Sequence, residues 1–340
     1  MRAQCRGAVA RRWPLLAFPL VLALAACSPT DPANTFAYNG DVARVVGELY
    51  WFTFWWAAAV FVVVNALLLY AIWRFRRRPE HGIPPQVHGN TRLEIMWTIV
   101  PTLILVAVGV PTIRTLFELE EPPAPPAVEV EVTGHQWWWE FRYPAYNIVT
   151  AGELHIPVGQ PVRLTLHSAD VVHSFWAPRL AGKKDVFPGP RVNHMWFNAT
   201  EPGIYYGQCV EFCGMQHAQM RFFVVAEPAE QFQAWVRNQQ APAAAPTDPS
   251  AQRGAEAFTR LGCMACHTIE GTSARGQVGP NLTHVGSRLA LAGGILENNP
   301  ENLARWLRNP QEVKVGNKMP NLNLNEQDIR DLVAYLTSLK

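Results

Sequence analysis

Residues 209–220 include two thiols, an imidazole and a thioether at close spacing, Cys209, Cys213, His217 and Met220, with Glu211 between the cysteines and a further methionine, Met215, in the same stretch. Thiolate and thioether donors together favour copper over hard cations. The preceding Tyr205, Tyr206, Gly207 and Gln208 read as the end of a strand, so these groups fall on a loop at the rim of a β domain. A second imidazole must come from elsewhere. His173, in Asp170-Val171-Val172-His173-Ser174 after a strand-like run, is best placed; His135, His155, His167 and His194 compete. A structural zinc would use the cysteines and two histidines, but would leave Met220 unexplained, and Cys-x3-Cys is not the usual short zinc-knuckle spacing. A disulfide or a pair of buried thiols are further alternatives.

A second cluster, Cys263-Met264-Ala265-Cys266-His267, has the form of a haem c attachment site. Two thioether bonds fix the macrocycle and His267 is the proximal ligand. A redox dithiol or half a zinc ribbon would also use a CxxC. The adjacent histidine, the missing second CxxC and the compartment argued below count against both. Met319, in Lys318-Met319-Pro320, is the natural sixth ligand, and a Met/His pair raises a haem potential.

These groups need elements to hold them. The 340 residues suggest two or three domains. The net charge of +2 and the lack of a basic patch with interleaved aromatics give no reason to invoke nucleic acid. Residues 1–26 read as an export signal, with Arg2, Arg6, Arg11 and Arg12 before an apolar run. Leu24-Ala25-Ala26-Cys27 resembles a bacterial lipobox, which would place a lipid on Cys27 of an outer segment, 27–48; ordinary signal cleavage is the alternative. Uncharged runs predict transmembrane helices over 49–73 and 93–116. Arg74, Arg76, Arg77 and Arg78 make the intervening loop, 74–92, cytoplasmic. Everything after the second helix then lies outside, in a compartment that permits disulfides, although no cysteine here needs one. Thirteen tryptophans, clustered at Trp51, Trp55 and Trp56 and at residues 137–139, fit interface belts and a surface aromatic patch.

After a proline linker at 120–126, Val128, Val130 and Val132 alternate with polar residues, as do Val162, Leu164 and Leu166. That is a strand period, and it predicts an all-β sandwich or barrel over 127–230. An Ala/Pro tether, 238–250, leads to a small all-α domain, 251–340. There Asn325 caps a last helix with Ile329, Leu332, Val333 and Leu336 on one face.

The pattern C-x-E-x-C-G-x-x-H-x-x-M, preceded by D-x-x-H-S and by Gly134-His135-Gln136-Trp137, resembles subunit II of haem–copper cytochrome c oxidases. The resemblance covers residues 40–225, the hairpin included. It implies a cupredoxin fold with a binuclear mixed-valence copper centre, CuA. Cys209 and Cys213 would bridge both coppers and His173 and His217 would each terminate one. Met220 and the Glu211 carbonyl would be weak axial ligands. Two bridging thiolates spread one electron over both metals, so each bond changes little on reduction. The resemblance further implies that the Glu211 carboxylate ligates a Mg²⁺ shared with the catalytic subunit, a hard donor for a hard cation. It makes Trp137 the residue through which electrons come in, and sets Glu94 at the mouth of a proton-uptake path. Trp138 stands where the family usually has Tyr, and Phe187-Pro188-Gly189-Pro190-Arg191 carries an extra proline.

Gly279-Pro280-Asn281-Leu282 resembles the proximal loop of class I cytochromes c, and Gly254, Phe258, Leu332 and Tyr335 resemble the contacts of that family's terminal helices. The combination implies a caa-type oxidase subunit in a bacterial cytoplasmic membrane. Electrons would run from haem c to CuA and on to a catalytic subunit I that reduces O₂ to water and pumps protons. Further oxidase subunits would be partners, and a cytochrome c or a quinol-oxidising complex the donor. The alternatives are the corresponding subunit of a CuA-containing nitric oxide reductase, and a non-enzymatic metal-delivery lipoprotein.

Overall fold

The computed structural model describes residues 31–76, 82, 86 and 88–340. The expected export signal, the acylation at Cys27, and Arg77 and Arg78 lie outside the described residues.

Two helices, α1 (Asp41–Arg74) and α2 (Thr91–Glu118), are long and apolar enough to cross a membrane. Their large apolar side chains, Phe61, Leu69 and Leu105 among them, are exposed. A helix apolar on all sides needs lipid or protein around it. Helix α1 starts well before the expected residue 49. Its extra turns carry Asp41, Arg44 and Glu48, so hydropathy marks the membrane portion and misses the rest. The extra turns dock on the β domain through buried Val42 and Ala43. The Asp41 amide donates to Asn198 Oδ1 (2.9 Å), and Asn198 Nδ2 donates to Asp41 Oδ2 (2.7 Å).

The β domain is a two-sheet sandwich. One sheet has the order β3-β2-β1-β5-β8, from β1 (Val128–His135), β2 (Trp138–Tyr143), β3 (Ile148–Ala151), β5 (Val162–Ser168) and β8 (Asn193–Phe197). The other has the order β4-β10-β9-β6-β7, from β4 (Glu153–Pro157), β6 (His173–Trp176), β7 (Lys184–Val186), β9 (Gly203–Cys209) and β10 (Arg221–Glu227). Alternation puts Val128, Val130 and Val132 inside, and β1 lies parallel to β5 with Val130 opposite Leu164. Each such side chain contributes roughly 1.5–3 kcal/mol on burial. Trp139, Phe141, Phe175 and Phe222 fill the centre with edge and stacked ring contacts. Helix α3 (Ala229–Gln239) closes one side with Phe232 and Val236.

The Ala/Pro segment is shorter than expected, because α3 runs to Gln239 and α4 (Pro249–Arg260) starts before residue 250. It is also pinned. The Ala243 amide donates to Glu270 O (3.0 Å), and His284 Nε2 lies 3.0 Å from Ala241 O. The C-terminal domain has its own core around α4, α5 (Pro300–Arg308), α6 (Pro310–Val313) and α7 (Glu326–Ser338), with a small hairpin of β11 (Ala290–Leu291) and β12 (Leu296–Glu297). Asp248, Asn299 and Asn325 cap their helices through side-chain oxygens. Helices α4 and α7 cross at Gly254, where a Cβ would sit 2.0 Å from Asp331 O.

Candidate metal and haem centres

Strand β9 runs through Cys209, and β10 resumes immediately after Met220, so the loop between them is held at both ends; Cys209 N–H donates to Met220 O (2.9 Å). Phe175 pairs with Cys209 across β6 and β9, which brings His173, at the start of β6, to the loop. His173 Nδ1 lies 3.8 Å from Cys209 Sγ, and the two sulfurs are 3.8 Å apart. His217 Nδ1 is 3.6 Å and Met220 Sδ 3.8 Å from Cys213 Sγ. The Glu211 carbonyl is 3.3 Å from Cys209 Sγ. Sulfurs 3.8 Å apart are far outside a disulfide bond of about 2.05 Å, and suit two thiolates that share a metal at about 2.3 Å each. His173, Cys209 and Cys213 are all buried and converge closely enough to hold an ion. Among the competing histidines, His135 stacks on Trp138 (4.2 Å) and His155 on Trp235 (4.3 Å), away from the thiols.

The electrostatics favour a thiolate at one of the two sulfurs. The hydrogen bond from the Cys213 thiol pulls Cys209 well below an ordinary thiol, against the effect of burial, and His173 adds to it. Cys213 retains its proton for the same reason in reverse. Burial lowers the His173 pKa, but its hydrogen bonds to Asp170 and Cys209 outweigh that and raise it. Asp170 Oδ1 sits 2.9 Å from His173 Nε2, which leaves Nδ1 facing the sulfurs. Burial would raise the Asp170 pKa, yet contacts with His173, the Gln136 and Val171 amides and Lys318 hold it well below the carboxylate range. A Cβ at residue 134 would come 2.8 Å from the His173 ring, so Gly134 makes room for it.

The expectation of a surface aromatic patch at 137–139 does not hold. Trp139 is fully buried in the core, and Trp137 is 8% exposed beneath the C-terminal domain. The Trp137 indole N–H donates to Cys213 O (3.0 Å), and Gln136 Nε2 reaches the same oxygen (2.8 Å). The Glu211 side chain is exposed, as are Phe212 and Met215 beside it. Glu94 lies in the first turn of the 28-residue α2, at the end remote from the β domain, and its Oε1 accepts the Asn90 amide (3.1 Å) as a helix cap.

The second centre is an apolar cavity lined by Cys266, His267, Leu282, Leu303, Trp306 and Met319. His267 Nδ1 is 2.8 Å from Pro280 O, which leaves Nε2 free as a ligand. Burial lowers the His267 pKa, in keeping with a neutral imidazole. A Cβ on Gly279 would meet His267 Cε1 at 2.5 Å. Gln311 Nε2 donates to Asn317 O and Met319 O, both at 2.8 Å, and so fixes the loop that presents Met319. Arg288 also lines the cavity, and its buried Nε has no partner among the described residues. An orphan guanidinium N–H in an apolar slot fits a flat apolar cofactor with an anionic edge. Motif reading did not find Arg288, because nothing near it in sequence marks its burial. The wall opposite is the β domain: His135, Trp137 and Trp138 line the same cavity. Burial holds His135 down to about 4, so it is neutral at pH 7 and its 3.9 Å approach to Glu140 is not an ion pair.

Comparison with known proteins follows the same division. Residues 41–115 match the transmembrane domain of cytochrome c oxidase subunit II, residues 148–227 its periplasmic domain, and residues 251–340 cytochrome c. Cytochrome c oxidase subunit 2 of Alkalihalophilus pseudofirmus is 40% identical over 324 residues, covering 93% of this chain and 91% of its own. That of Bacillus sp. (strain PS3) is 42% identical over 287 residues, 78% of this chain and 80% of its own. The crystal structure of the periplasmic domain of subunit II (CoxB) of Bradyrhizobium japonicum is 30% identical, covers 34% of this chain and 96% of that one, and has a TM-score of 0.33. The first of the matched soluble domains implies copper and the second haem c. With two membrane helices, a thiolate-rich loop on a β sandwich and a CxxCH helical domain in this order, the chain belongs to the cytochrome c oxidase subunit 2 family of haem–copper oxidases, in a form with a C-terminal cytochrome c domain.

Proposed function

We propose that this subunit takes electrons into the oxidase through haem c and delivers them by way of a binuclear CuA centre to the catalytic subunit, where O₂ is reduced to water and protons are pumped. Bound at the two centres, the haem and the copper pair would each accept and release one electron. The chain's own residues do the rest. Cys263 and Cys266 would hold the macrocycle covalently, with His267 and Met319 as the residues that would ligate its iron. Cys209, Cys213, His173 and His217 would hold the copper, with Met220 and the Glu211 carbonyl as weaker donors. Weak axial donors tune the potential of a copper–thiolate site.

One observation carries the reading. Trp137 lines the haem cavity and donates its indole N–H to the carbonyl of the copper-loop residue Cys213. A single side chain therefore touches both centres. The exposed Glu211 carboxylate is free to ligate a hard cation, such as Mg²⁺, shared with subunit I. The soluble domains would face the outer side of a bacterial cytoplasmic membrane, where a cytochrome c or a quinol-oxidising complex supplies electrons. Glu94 is assigned to a proton-uptake mouth on the opposite side.

Metal analysis and spectroscopy of the purified full-length protein test this. Two coppers, one haem c, a near-infrared mixed-valence band and a multiline copper EPR signal are expected. Cys213→Ser should abolish the band and the multiline pattern, and their survival would defeat the bridging assignment.

A further inference from the structure

Lys314 follows α6 in Val313-Lys314-Val315-Gly316, and lysine is a residue type that is almost never fully buried unless paired. In the fold it is only 3% exposed. Its ammonium meets three backbone carbonyls from three separate segments: Trp137 O (2.7 Å), Gln219 O (2.7 Å) and Ala292 O (2.9 Å). The first two belong to the β domain and the third to the cytochrome domain. An ammonium has three protons and no acceptor, so this set of contacts uses all of them. Burial pulls its pKa down to about 7, with Cys213 opposing that pull and Arg221 adding to it; hydrogen bonds from the ammonium to three carbonyls favour the charged form.

The turn opposite is shaped for close approach. Ala292, Gly293 and Gly294 all have positive φ, at 54°, 74° and 83°. A Cβ on Gly293 would lie 2.6 Å from Lys314 Nζ and 2.7 Å from Trp137 O, and one on Gly294 would lie 3.0 Å from the Arg221 carbonyl carbon. Backbone meets backbone here: the Arg221 amide donates to Gly293 O (2.9 Å). Nearby, Gln216 Nε2 donates to Val315 O (2.8 Å), and the Leu289 amide donates to the buried Glu153 carboxylate.

We propose that Lys314 is a positioning residue that latches the cytochrome domain onto the copper domain and fixes the backbone on both flanks of the copper loop. One flank is Trp137, whose ring reaches Cys213 O. The other is Gln219, which precedes Met220. The proposal rests on the copper and haem reading above and adds that a buried cation, as well as the covalent linker, sets the spacing of the two centres. The step so positioned is the transfer of one electron, the haem iron being oxidised as the copper pair is reduced, with no bond made or broken. An exposed lysine–carboxylate pair would contribute little to such docking. A desolvated ammonium differs, because its loss leaves three buried carbonyls without a donor.

The test uses the full-length loaded protein in detergent. Lys314→Met keeps the length of the side chain and removes its donors. Gly293→Ala attacks the same contact from the other side and leaves Lys314 in place. Arg308→Met, which breaks the exposed pair with Glu326, controls for loss of a cation. Amide hydrogen exchange at Arg221 and Leu289 reports on docking, exchange in α7 reports on the integrity of the cytochrome domain, and flash-induced haem-to-copper transfer reports on positioning. Lys314→Met and Gly293→Ala should each speed exchange at Arg221 and Leu289 several-fold and spare α7. Each should slow transfer several-fold, because electron tunnelling falls steeply as the two centres move apart. Arg308→Met should change neither. Wild-type exchange and transfer in Gly293→Ala, or an equal effect of Arg308→Met, would overturn the latch, even if Lys314→Met fails to fold. Wild-type protein without copper or haem c would instead defeat the reading on which the latch rests.

Discussion

Replacing Asp170 with asparagine should weaken copper binding without unfolding the apo-protein. The carboxylate makes four contacts: Oδ1 with His173 Nε2 (2.9 Å) and the Val171 amide (2.9 Å), Oδ2 with the Gln136 amide (2.8 Å) and Lys318 Nζ (3.0 Å). All four partners can be donors, and asparagine brings one oxygen and one NH₂ group. With its oxygen toward His173, the amide nitrogen faces two donors. With its oxygen toward Gln136 and Lys318, the NH₂ group faces His173 Nε2 and drives the imidazole proton onto Nδ1, the atom that would bind copper in the proposed ligation. Either way a charge-assisted bond worth about 1.5–3 kcal/mol becomes a neutral one worth about 1. The difference predicts roughly a tenfold loss of affinity, at the low end of the 10–100-fold typical of residues that orient metal-bound histidines. Competition with a chelator, followed by the near-infrared band of the full-length protein, reads the affinity, and thermal melting of the apo form reads the fold. An affinity within threefold of wild type would refute the orienting role. Because the folded-state pKa of Asp170 is depressed, its contribution is present above the unfolded value of about 3.9 and is lost only as pH falls through the folded one. The wild-type affinity should therefore show no step from this group between pH 5 and 8.

Two other perturbations separate the domains. Gly254→Ala sets a methyl 2.0 Å from Asp331 O, which must spread α4 from α7; a destabilisation of about 1–3 kcal/mol or more is expected, seen as a lower melting point for the haem absorbance with the β-domain transition unchanged. His155→Gln should lower the β-domain melting point most at about pH 6 and progressively less above about 6.5. Burial lowers the His155 pKa, but Glu153 and Glu227, 3.5 and 3.2 Å from its two nitrogens, outweigh that and raise it. A raised pKa stabilises below the unfolded value and fades as pH rises through the folded one; a gap that stayed constant up to pH 9 would contradict this.

How much of this could be read in advance depended on whether the partners lay close in the sequence. Cys209, Glu211, Cys213, His217 and Met220 form one continuous loop, so their coming together was legible from spacing, and that of Cys263, Cys266 and His267 likewise. Strand alternation put Val130 and Leu164 inward, yet nothing in it says that β1 and β5 are parallel neighbours. Asp170 stands in the D-x-x-H-S motif, but its grip on His173, Gln136 and Lys318 exists only once three segments meet. Lys314 and Arg288 were invisible for a related reason. Residue type argues that both are exposed, and only the packing of a second domain or of a cofactor slot reverses that. Trp138 and Trp139 show the same limit, since adjacent residues on a strand face opposite sides and their composition cannot say which side is the core.

The Ala/Pro segment after α3 illustrates how composition and energetics part company. Such a segment suggests a flexible tether, and a tether acts by raising the local concentration of one module near another. Here its Ala241 carbonyl and Ala243 amide are both bonded to the cytochrome domain, and that domain presents Lys314, Gly293 and Lys318 to the copper domain over the same face that Trp137 occupies. A collision-limited relay would need Trp137 uncovered between encounters. A docked relay needs it covered, and it is 8% exposed. Haem-to-copper transfer should thus be independent of viscosity and of ionic strength in the wild type, because no diffusive encounter precedes it and the latch is a buried ammonium on carbonyls that salt screens poorly. Stopped-flow or flash measurement across a range of salt and glycerol concentrations checks this. A rate that fell in proportion to viscosity would mean that the domains part on every turnover and that the docked geometry is only one stop on the way.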